Sequence, residues 1–219
     1  MKVRNGRYLR SATKPSEVPS LQVPRVAFVG RSNVGKSSLL NQLAGIRGLA
    51  RVSRTPGRTR QVNYFLVDER LAFIDLPGYG YSRAPASLRE DWGPLSEAAL
   101  LMHGGTDLVI LLVDGRRPPT ELDRQMAEWL TSKGLAWIPV LTKMDKLRAS
   151  ERRMAADALA AMAADHPGIA TSARTGEGIA HLWKEIESVG RRDSKKPPRP
   201  PLEARRVRGP RVHRETDRE

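Results

Sequence analysis

Residues 30–37 read Gly30-Arg31-Ser32-Asn33-Val34-Gly35-Lys36-Ser37. This stretch follows the apolar run 26–29, which is typical of a buried strand, and it precedes residues 38–43, which have the pattern of a helix. A Gly-x-x-x-x-Gly-Lys-Ser loop in that setting predicts a turn whose backbone N–H groups converge on phosphate oxygens. We therefore expect a strand–loop–helix unit that binds a nucleoside triphosphate, with the loop through Ser38 lining the site.

Each residue type in this loop suits one part of a phosphate chain. Gly30 and Gly35 let the backbone turn tightly and approach the oxygens. Lys36 supplies a cation for the β- and γ-phosphates at the positive N-terminal end of the helix. The hydroxyl of Ser37 suits Mg²⁺, which prefers hard oxygen ligands. The loop thus predicts a magnesium–nucleotide complex.

Composition limits the class of protein. The chain has 219 residues, enough for one domain with extensions, and its lack of cysteine excludes disulfides, thiolate metal sites and a cysteine nucleophile. The longest apolar run, Leu108 to Val113, is too short to span a bilayer, and no signal-peptide pattern follows the basic start of the chain. We therefore expect a cytoplasmic protein without a membrane partner, and we take it to be a monomer.

The net charge is high for an enzyme. A formal charge of +14 and a pI near 10.8 favour a polyanionic partner. Nucleic acid is favoured over a membrane surface because no basic amphipathic helix with a wide apolar face accompanies the charge. The alternative that the chain is merely basic stays open.

Strand and helix patterns alternate along the chain. Strands are predicted at 25–29, 61–67, 71–74, 107–113, 136–141 and 168–171, and helices at 36–43, 88–102, 120–132, 150–164 and 178–189. The two strands at 61–67 and 71–74 favour an antiparallel hairpin, and the later alternation predicts parallel strands with helices on both faces. The predicted fold class is α/β, a three-layer α/β/α domain whose mainly parallel sheet has one antiparallel strand.

Three regions are expected along the chain. Residues 1–23 form a basic arm without periodicity, residues 24–189 form the nucleotide-binding domain, and residues 190–219 form a disordered basic tail. The tail contains eleven basic and five acidic side chains with five prolines, so it could bind RNA or only keep the chain in solution. Residues 45–60 and 79–86 are expected to be mobile loops.

A second motif, Asp75-Leu76-Pro77-Gly78, ends the strand that follows the hairpin turn. An aspartate at that place can hold the magnesium ion, usually through water. The glycine can offer its backbone N–H to the γ-phosphate. Asp75 and Gly78 are therefore predicted parts of the nucleotide site.

Two further segments indicate which base is bound. Thr142-Lys143-Met144-Asp145 follows a buried strand, and the carboxylate of Asp145 can accept two hydrogen bonds from the N1–H and N2–H₂ edge of guanine, which adenine lacks. The stem of Lys143 can lie over the base. Small residues in Thr171-Ser172-Ala173 allow backbone N–H groups to approach the guanine O6. All these motifs follow strands, at the edge where such sheets bind ligands.

Together, these motifs resemble those of the EngB family, also called YsxC or YihA, within the translation-factor-related class of P-loop GTPases. The resemblance covers residues 19–189. The segments that carry it are Phe28-Val29-Gly30-Arg31-Ser32-Asn33-Val34-Gly35-Lys36-Ser37-Ser38-Leu39-Leu40-Asn41, Thr55-Pro56-Gly57-Arg58-Thr59, Asp75-Leu76-Pro77-Gly78-Tyr79-Gly80-Tyr81, Thr120-Glu121-Leu122-Asp123 and Thr142-Lys143-Met144-Asp145-Lys146.

The resemblance implies an enzyme that hydrolyses GTP to GDP as a switch in assembly of the large (50S) ribosomal subunit, and that is needed for normal cell division and septation. Its partners would be GTP, GDP and the large subunit or its precursor. Gly57 and Thr59 would join the GTP site, with Thr59 closing on the Mg²⁺ held by Ser37 and Asp75. Asn33 could hold a potassium ion against the phosphates. The implied catalytic residues are Lys36, Thr59, Gly78 and Asn33.

Tyr79 occupies the position after Gly78, where many GTPases have a glutamine that orients the attacking water. A tyrosine has no side-chain amide, so we expect slow intrinsic hydrolysis, with charge compensation by a cation at Asn33 or by a group from a partner. Three basic residues could by their charge stabilise the phosphate during hydrolysis, namely Arg54, Arg58 and Arg60. Contact of these residues with RNA phosphate or with solvent is the simpler interpretation.

Residues 114–119 depart from the family pattern, since they read Asp-Gly-Arg-Arg-Pro-Pro where Asp-Ala-Arg-His and a single proline are expected. The departure places a basic pair, Arg116 and Arg117, on the loop after the fourth predicted strand, and the sequence does not indicate what this pair contacts. Asp123 is expected to serve a helix start, and the scattered histidines predict no metal site.

Two other functions stay open. One is an RNA-binding assembly scaffold with a nucleotide-stabilised fold and negligible turnover, and the other is a nucleotide kinase or ATPase, which Asp145 disfavours.

Overall fold

The structure, a computed structural model, describes residues 3–46, 48–50, 61–80, 88–163, 166 and 168–193. Seven strands in this part of the chain form one sheet: β1 Gly6–Ala12, β2 Arg25–Gly30, β3 Val62–Val67, β4 Leu71–Asp75, β5 Leu108–Asp114, β6 Trp137–Thr142 and β7 Ile169–Ala170. The α-helices are α1 Lys36–Ala44, α2 Leu88–Leu101, α3 Glu121–Ser132, α4 Ala149–Met162 and α5 Ile179–Asp193, and short 3-10 helices lie at Pro15–Glu17 and Met144–Lys146. The strand order is β1-β3-β4-β2-β5-β6-β7.

The sheet is mainly parallel. β2 lies in the centre and pairs in parallel with β4 and β5, and β6 continues the parallel pairing from β5 to β7. β3 pairs antiparallel with β4 on one side and with β1 on the other. Of the described strands, β3 alone runs against the rest, as the sequence predicted.

Helices cover both faces of the sheet and make a three-layer domain. On one face, Met126 of α3 packs in a cluster that includes Leu111 of β5 and the C-terminal part of α2. On the other face, Leu40 of α1 and Trp183 of α5 pack in a cluster with Phe73 of β4. Central strands covered on both faces must be apolar on both, which explains why β5 is buried throughout and almost wholly aliphatic. The predicted α/β/α fold class is confirmed.

The sequence shows no periodicity in residues 1–23, and no strand was predicted there, but the structure places β1 in this arm. Residues 6–12 form an edge strand that pairs with β3, and Asp68 fixes its start by accepting hydrogen bonds from the backbone N–H groups of Arg4 and Asn5 at 2.9 and 2.8 Å. Within β1 only Ala12 is fully buried, and the register shifts between Tyr8 and Arg10. A charged, irregular edge strand has no apolar alternation to detect.

Two helices depart most from the prediction, whereas the bounds of the others differ by one or two residues. α5 continues to Asp193, so the first residues of the predicted disordered tail are helical. α2 is interrupted at Gly93, whose φ is 63° and ψ 169°, directly before Pro94. A proline inside a helix cannot donate the i to i−4 hydrogen bond, which accounts for a break at this point. The limits of the three predicted regions otherwise stay predictions.

Membrane insertion was not expected from the sequence. Within the described residues, no helix combines the length and the apolar character that crossing a bilayer requires.

Candidate functional site

The predicted site segments lie at the carboxyl ends of neighbouring strands. The loop 30–35 follows β2, Asp75 ends β4, and Thr142 ends β6. Because β4, β2, β5, β6 and β7 are adjacent and parallel, their carboxyl ends form one edge of the sheet. The structure thus brings the phosphate loop 30–35, the Asp-x-x-Gly segment 75–78 and the base-recognition segment predicted at 142–145 to a single edge.

The loop between β2 and α1 has a backbone suited to an anion. Asn33 and Gly35 have positive φ values of 65° and 107°, and they alternate with residues of ordinary φ. Alternation of right-handed and left-handed residues turns successive N–H groups toward one point. α1 begins at Lys36 immediately afterwards, so its positive end is aimed at the same place, and Ser37 and Ser38 occupy its first turn.

The second segment packs directly on this loop. The Ser32 N–H donates to the Tyr79 carbonyl at 2.9 Å, and the Tyr79 N–H donates to the Gly30 carbonyl at 3.3 Å. A Cβ on Gly78 would lie 2.9 Å from the Ser32 nitrogen, which leaves no space for any larger residue. The Gly78 backbone is therefore held against the phosphate loop, as its predicted role requires.

Lys36 and Asp75 form an ion pair at the centre of this arrangement. The Lys36 ammonium donates to Asp75 Oδ1, and both side chains are nearly buried. Asp75 and Ser37 are the described residues that could hold Mg²⁺, and they fit because a carboxylate and a hydroxyl are the hard oxygen donors that this ion prefers. No group of three His, Cys, Asp or Glu side chains in the described part of the chain forms another metal site.

The Tyr79 side chain reaches α3. Its side chain is fully buried, and its hydroxyl donates to Asp123 Oδ1 at 2.8 Å. Burial raises the pKa of this hydroxyl well above its usual range, and the Asp123 carboxylate adds to the shift. The Thr120 N–H and hydroxyl donate to the other Asp123 oxygen at 2.8 and 2.7 Å, which caps α3. Asp123 thus serves a helix start, as predicted, and it also anchors Tyr79.

The base-recognition segment is tied to the phosphate loop. The Thr142 hydroxyl donates to the Val34 carbonyl at 2.7 Å. The Lys143 ammonium donates to the Asn33 carbonyl at 2.5 Å, so the stem of Lys143 extends across the site. These contacts join residues more than 100 positions apart. They set the distance between the segment that would hold the phosphates and the one that would hold the base.

Asp145 and Ser172 meet at the far end of the site. The Ser172 hydroxyl donates to Asp145 Oδ1 at 2.8 Å, and this bond holds the pKa of Asp145 below its ordinary value, with Lys146 and Arg174 contributing charge. Asp145 Oδ2 is buried and accepts no hydrogen bond from the described residues, although Arg174 Nε lies 3.1 Å away. Lys146 Nζ also lies 3.8 Å from Asp145 Oδ2. An ionised carboxylate suits the predicted pair of guanine N–H groups, which would take the place of these cations at Oδ2. Ala173 follows Ser172 in the same loop.

Asp114 is a residue of this edge that the motifs did not identify. Its buried carboxylate accepts from Lys143 Nζ at 2.8 Å and from Arg116 Nε and Nη2 at 3.0 and 2.8 Å. Burial alone would raise the pKa of Asp114, but the hydrogen bonds from Arg116 and Lys143 outweigh it and hold the pKa far below its ordinary value. Arg117 Nη2 lies 3.9 Å from Asp114 Oδ2. Arg116 and Lys143 therefore neutralise Asp114, and the place of Asp114 at the end of β5 is the signal that could have identified it.

Several predicted residues lie outside the described part of the chain. They are Gly57, Thr59, Arg54, Arg58 and Arg60. Their predicted parts in the site stay predictions.

The fold and these strand-end segments define a P-loop GTPase. Residues 25–143, more than half of the chain, match the family described as "50S ribosome-binding GTPase". The chain is 42% identical over 190 residues to the probable GTP-binding protein EngB of Geobacter metallireducens, covering 85% of this chain and 93% of that protein. It is 44% identical over 188 residues to the EngB of Pelobacter propionicus, covering 85% and 94%.

This protein belongs to the EngB family of GTP-binding proteins, and it is a GTP-hydrolysing enzyme of that family. A crystal structure of a probable GTP-binding protein EngB superimposes with a TM-score of 0.58 at 24% identity, covering 77% of this chain and 99% of the other, which supports the fold. GTPases of this kind generally use Mg²⁺, in agreement with the donor set at Ser37 and Asp75.

Proposed function

We propose that this protein binds GTP at the edge formed by β4, β2, β5, β6 and β7 and acts as a nucleotide switch in assembly of the large ribosomal subunit. The observation that carries the proposal is the direct linkage between segments. Thr142 and Lys143, beside Asp145, donate hydrogen bonds to Val34 and Asn33 of the phosphate loop. Such linkage would let one ligand contact both ends of the site.

The proposed chemistry is attack of water on the γ-phosphate. Lys36 would neutralise charge that develops on the phosphate oxygens, and the Gly78 N–H would donate to the γ-phosphate. Ser37 and Asp75, with Thr59, would hold Mg²⁺, which supplies further charge neutralisation when bound. Loss of the γ-phosphate would release the segments around Thr59 and Gly78, which is how hydrolysis changes the surface offered to a partner.

Turnover is expected to be slow because the residue after Gly78 cannot orient water. Tyr79 is buried and bonded to Asp123, so its side chain offers nothing to the γ-phosphate. We infer that a potassium ion beside Asn33 compensates charge, since Asn33 is exposed in the phosphate loop. Hydrolysis by the full chain should be faster in potassium than in sodium salt. Fast hydrolysis in sodium alone, without a partner, would contradict this.

The proposed partner is ribosomal RNA with its proteins in the large subunit or its precursor. The net charge of +14 supports an RNA partner, and the match to a family described as ribosome-binding supports the ribosome. The subunit would place the protein in the cytoplasm, where we expect it to act as a monomer. On the family resemblance we also expect a need for it in cell division and septation, which depletion followed by microscopy would test.

Co-sedimentation with purified large subunits tests the switch. The full chain is mixed with subunits at about 50 and about 200 mM salt, the range over which purely electrostatic binding falls steeply. A non-hydrolysable GTP analogue is compared with GDP, and the matching ATP analogue is the control. We expect retention that is stronger with the GTP analogue and that survives the higher salt. Equal retention with both nucleotides, lost at the higher salt, would favour the RNA-binding scaffold instead.

A further inference from the structure

We propose that Arg152 is a positioning residue for the base, because it fastens the segment 142–145 to the loop 171–178. This inference rests on the proposed guanine site. No motif pointed to Arg152, which lies in the first turns of α4 and outside the strand ends.

A single guanidinium joins the two segments. Arg152 Nη1 donates to Glu177 Oε1 at 2.7 Å, and Nη2 donates to Glu177 Oε2 at 2.8 Å. Nη2 also donates to the Met144 carbonyl at 2.9 Å. The bidentate pair fixes the plane of the guanidinium as well as its distance from the carboxylate. Arg152 therefore holds Met144 and Glu177 in one geometry.

Met144 and Glu177, the two residues that Arg152 contacts, are both linked to groups that would face the base. Met144 directly precedes Asp145, and its N–H donates to the Thr171 carbonyl at 3.2 Å. The Glu177 carbonyl accepts from the Ser172 N–H at 3.0 Å. The Ser172 hydroxyl in turn donates to Asp145 Oδ1 at 2.8 Å. A shift of Glu177 would therefore reach Asp145 through Ser172.

The loop that carries Glu177 packs closely on β7. Gly178 has a φ of 74°, and a Cβ on it would lie 2.0 Å from the Ala170 carbonyl oxygen. The close approach places Glu177 beside the end of β7. Through Arg152, α4 and Met144 are joined to this closely packed loop.

The ion pair is too exposed to contribute much to folding. The Arg152 and Glu177 side chains are 36% and 38% exposed, and pairs of this kind add little stability. The hydrogen bond from Arg152 holds the pKa of Glu177 below its ordinary value, so the pair stays charged near neutral pH. Its effect should therefore appear in how the base is recognised rather than in whether the protein folds.

The test compares GDP with inosine diphosphate, which lacks the exocyclic amine that Asp145 would bind. We expect the full chain to bind GDP about tenfold or more tightly than inosine diphosphate, the size of one hydrogen bond to a charged group. Arg152→Ala should reduce this ratio of dissociation constants by about threefold or more, a coupling of ordinary size. Arg152→Lys keeps the charge and should restore part of the ratio.

Matched variants separate positioning from a general loss of structure. Arg153→Ala removes the same charge from the next, exposed residue of α4 and should leave the ratio unchanged. Glu177→Gln removes the other half of the ion pair with little change of shape, and it should lower the ratio even if Arg152→Ala fails to fold.

Two results would overturn the proposed role of Arg152. One is an equal loss of affinity for both nucleotides in Arg152→Ala and Glu177→Gln, and the other is no change in either. Failure of the guanine site itself is recognised separately, because the unaltered protein would then not prefer GDP over ADP.

Discussion

Asp145→Asn is expected to change the preference of this protein from guanine to xanthine nucleotides. The Asp145 carboxylate has one oxygen bonded to Ser172 and a buried oxygen that accepts no hydrogen bond from the described residues. An asparagine amide cannot accept from both N1–H and N2–H₂ of guanine, but its NH₂ can donate to the O2 of xanthine. Affinity for GDP should fall by about 100-fold or more, and xanthosine diphosphate should bind more tightly than GDP.

Equilibrium titration with the two diphosphates measures this change. Asp157→Asn, an equal change at an exposed position of α4, is the control and should bind both nucleotides like the unaltered protein. If Asp145→Asn kept a preference for GDP over xanthosine diphosphate, Asp145 would not be the residue that reads the base.

Lys36→Ala should lower kcat/KM for GTP by about 10²- to 10³-fold, the usual effect of removing one preorganised charge donor from a reacting group. Lys36 begins α1 beside the phosphate loop, and it is paired with Asp75. Its removal takes a cation away from the phosphates and also leaves a nearly buried carboxylate without this partner. Single-turnover hydrolysis, followed by phosphate release, measures the effect.

Lys133→Ala is the matched control for Lys36→Ala. Lys133 forms an exposed ion pair with Glu97 at 2.8 Å, at the end of α3, so its loss should leave hydrolysis unchanged. Hydrolysis by Lys36→Ala within a few-fold of the unaltered rate would show that the lysine of the loop does not act on the phosphates.

Local sequence patterns were enough to predict the strands β2 to β7, the helices α1 to α5 and the fold class. The unit β2–loop–α1 was predictable because the spacing of its glycines and its Lys-Ser pair is typical of a phosphate-binding loop between a strand and a helix. The β3–β4 hairpin was predictable because apolar residues stand on both sides of the turn at 68–70. β1 was not predictable, since an edge strand with charged side chains has no apolar pattern and depends on contacts with β3 and Asp68.

The contacts inside the site required the structure. Tyr79 and Asp123 are 44 positions apart, and Lys143 and Asp114 are 29 positions apart, so no local pattern links them. The sequence showed that Tyr79 lacks an amide, but only the structure gives the direction of its side chain, toward α3. Arg152 gave no signal either, because its partners Met144 and Glu177 become neighbours only when β6, β7 and α4 are packed.

The guanine-nucleotide site is tested most directly by calorimetric titration of the full chain with GDP, a non-hydrolysable GTP analogue and ADP in the presence of Mg²⁺. Both guanine nucleotides are predicted to bind with one site per chain and about 100-fold or more tightly than ADP, because adenine leaves the Asp145 carboxylate unpaired. Equal affinity for GDP and ADP would contradict the assignment of Asp145 and of the whole base-recognition segment.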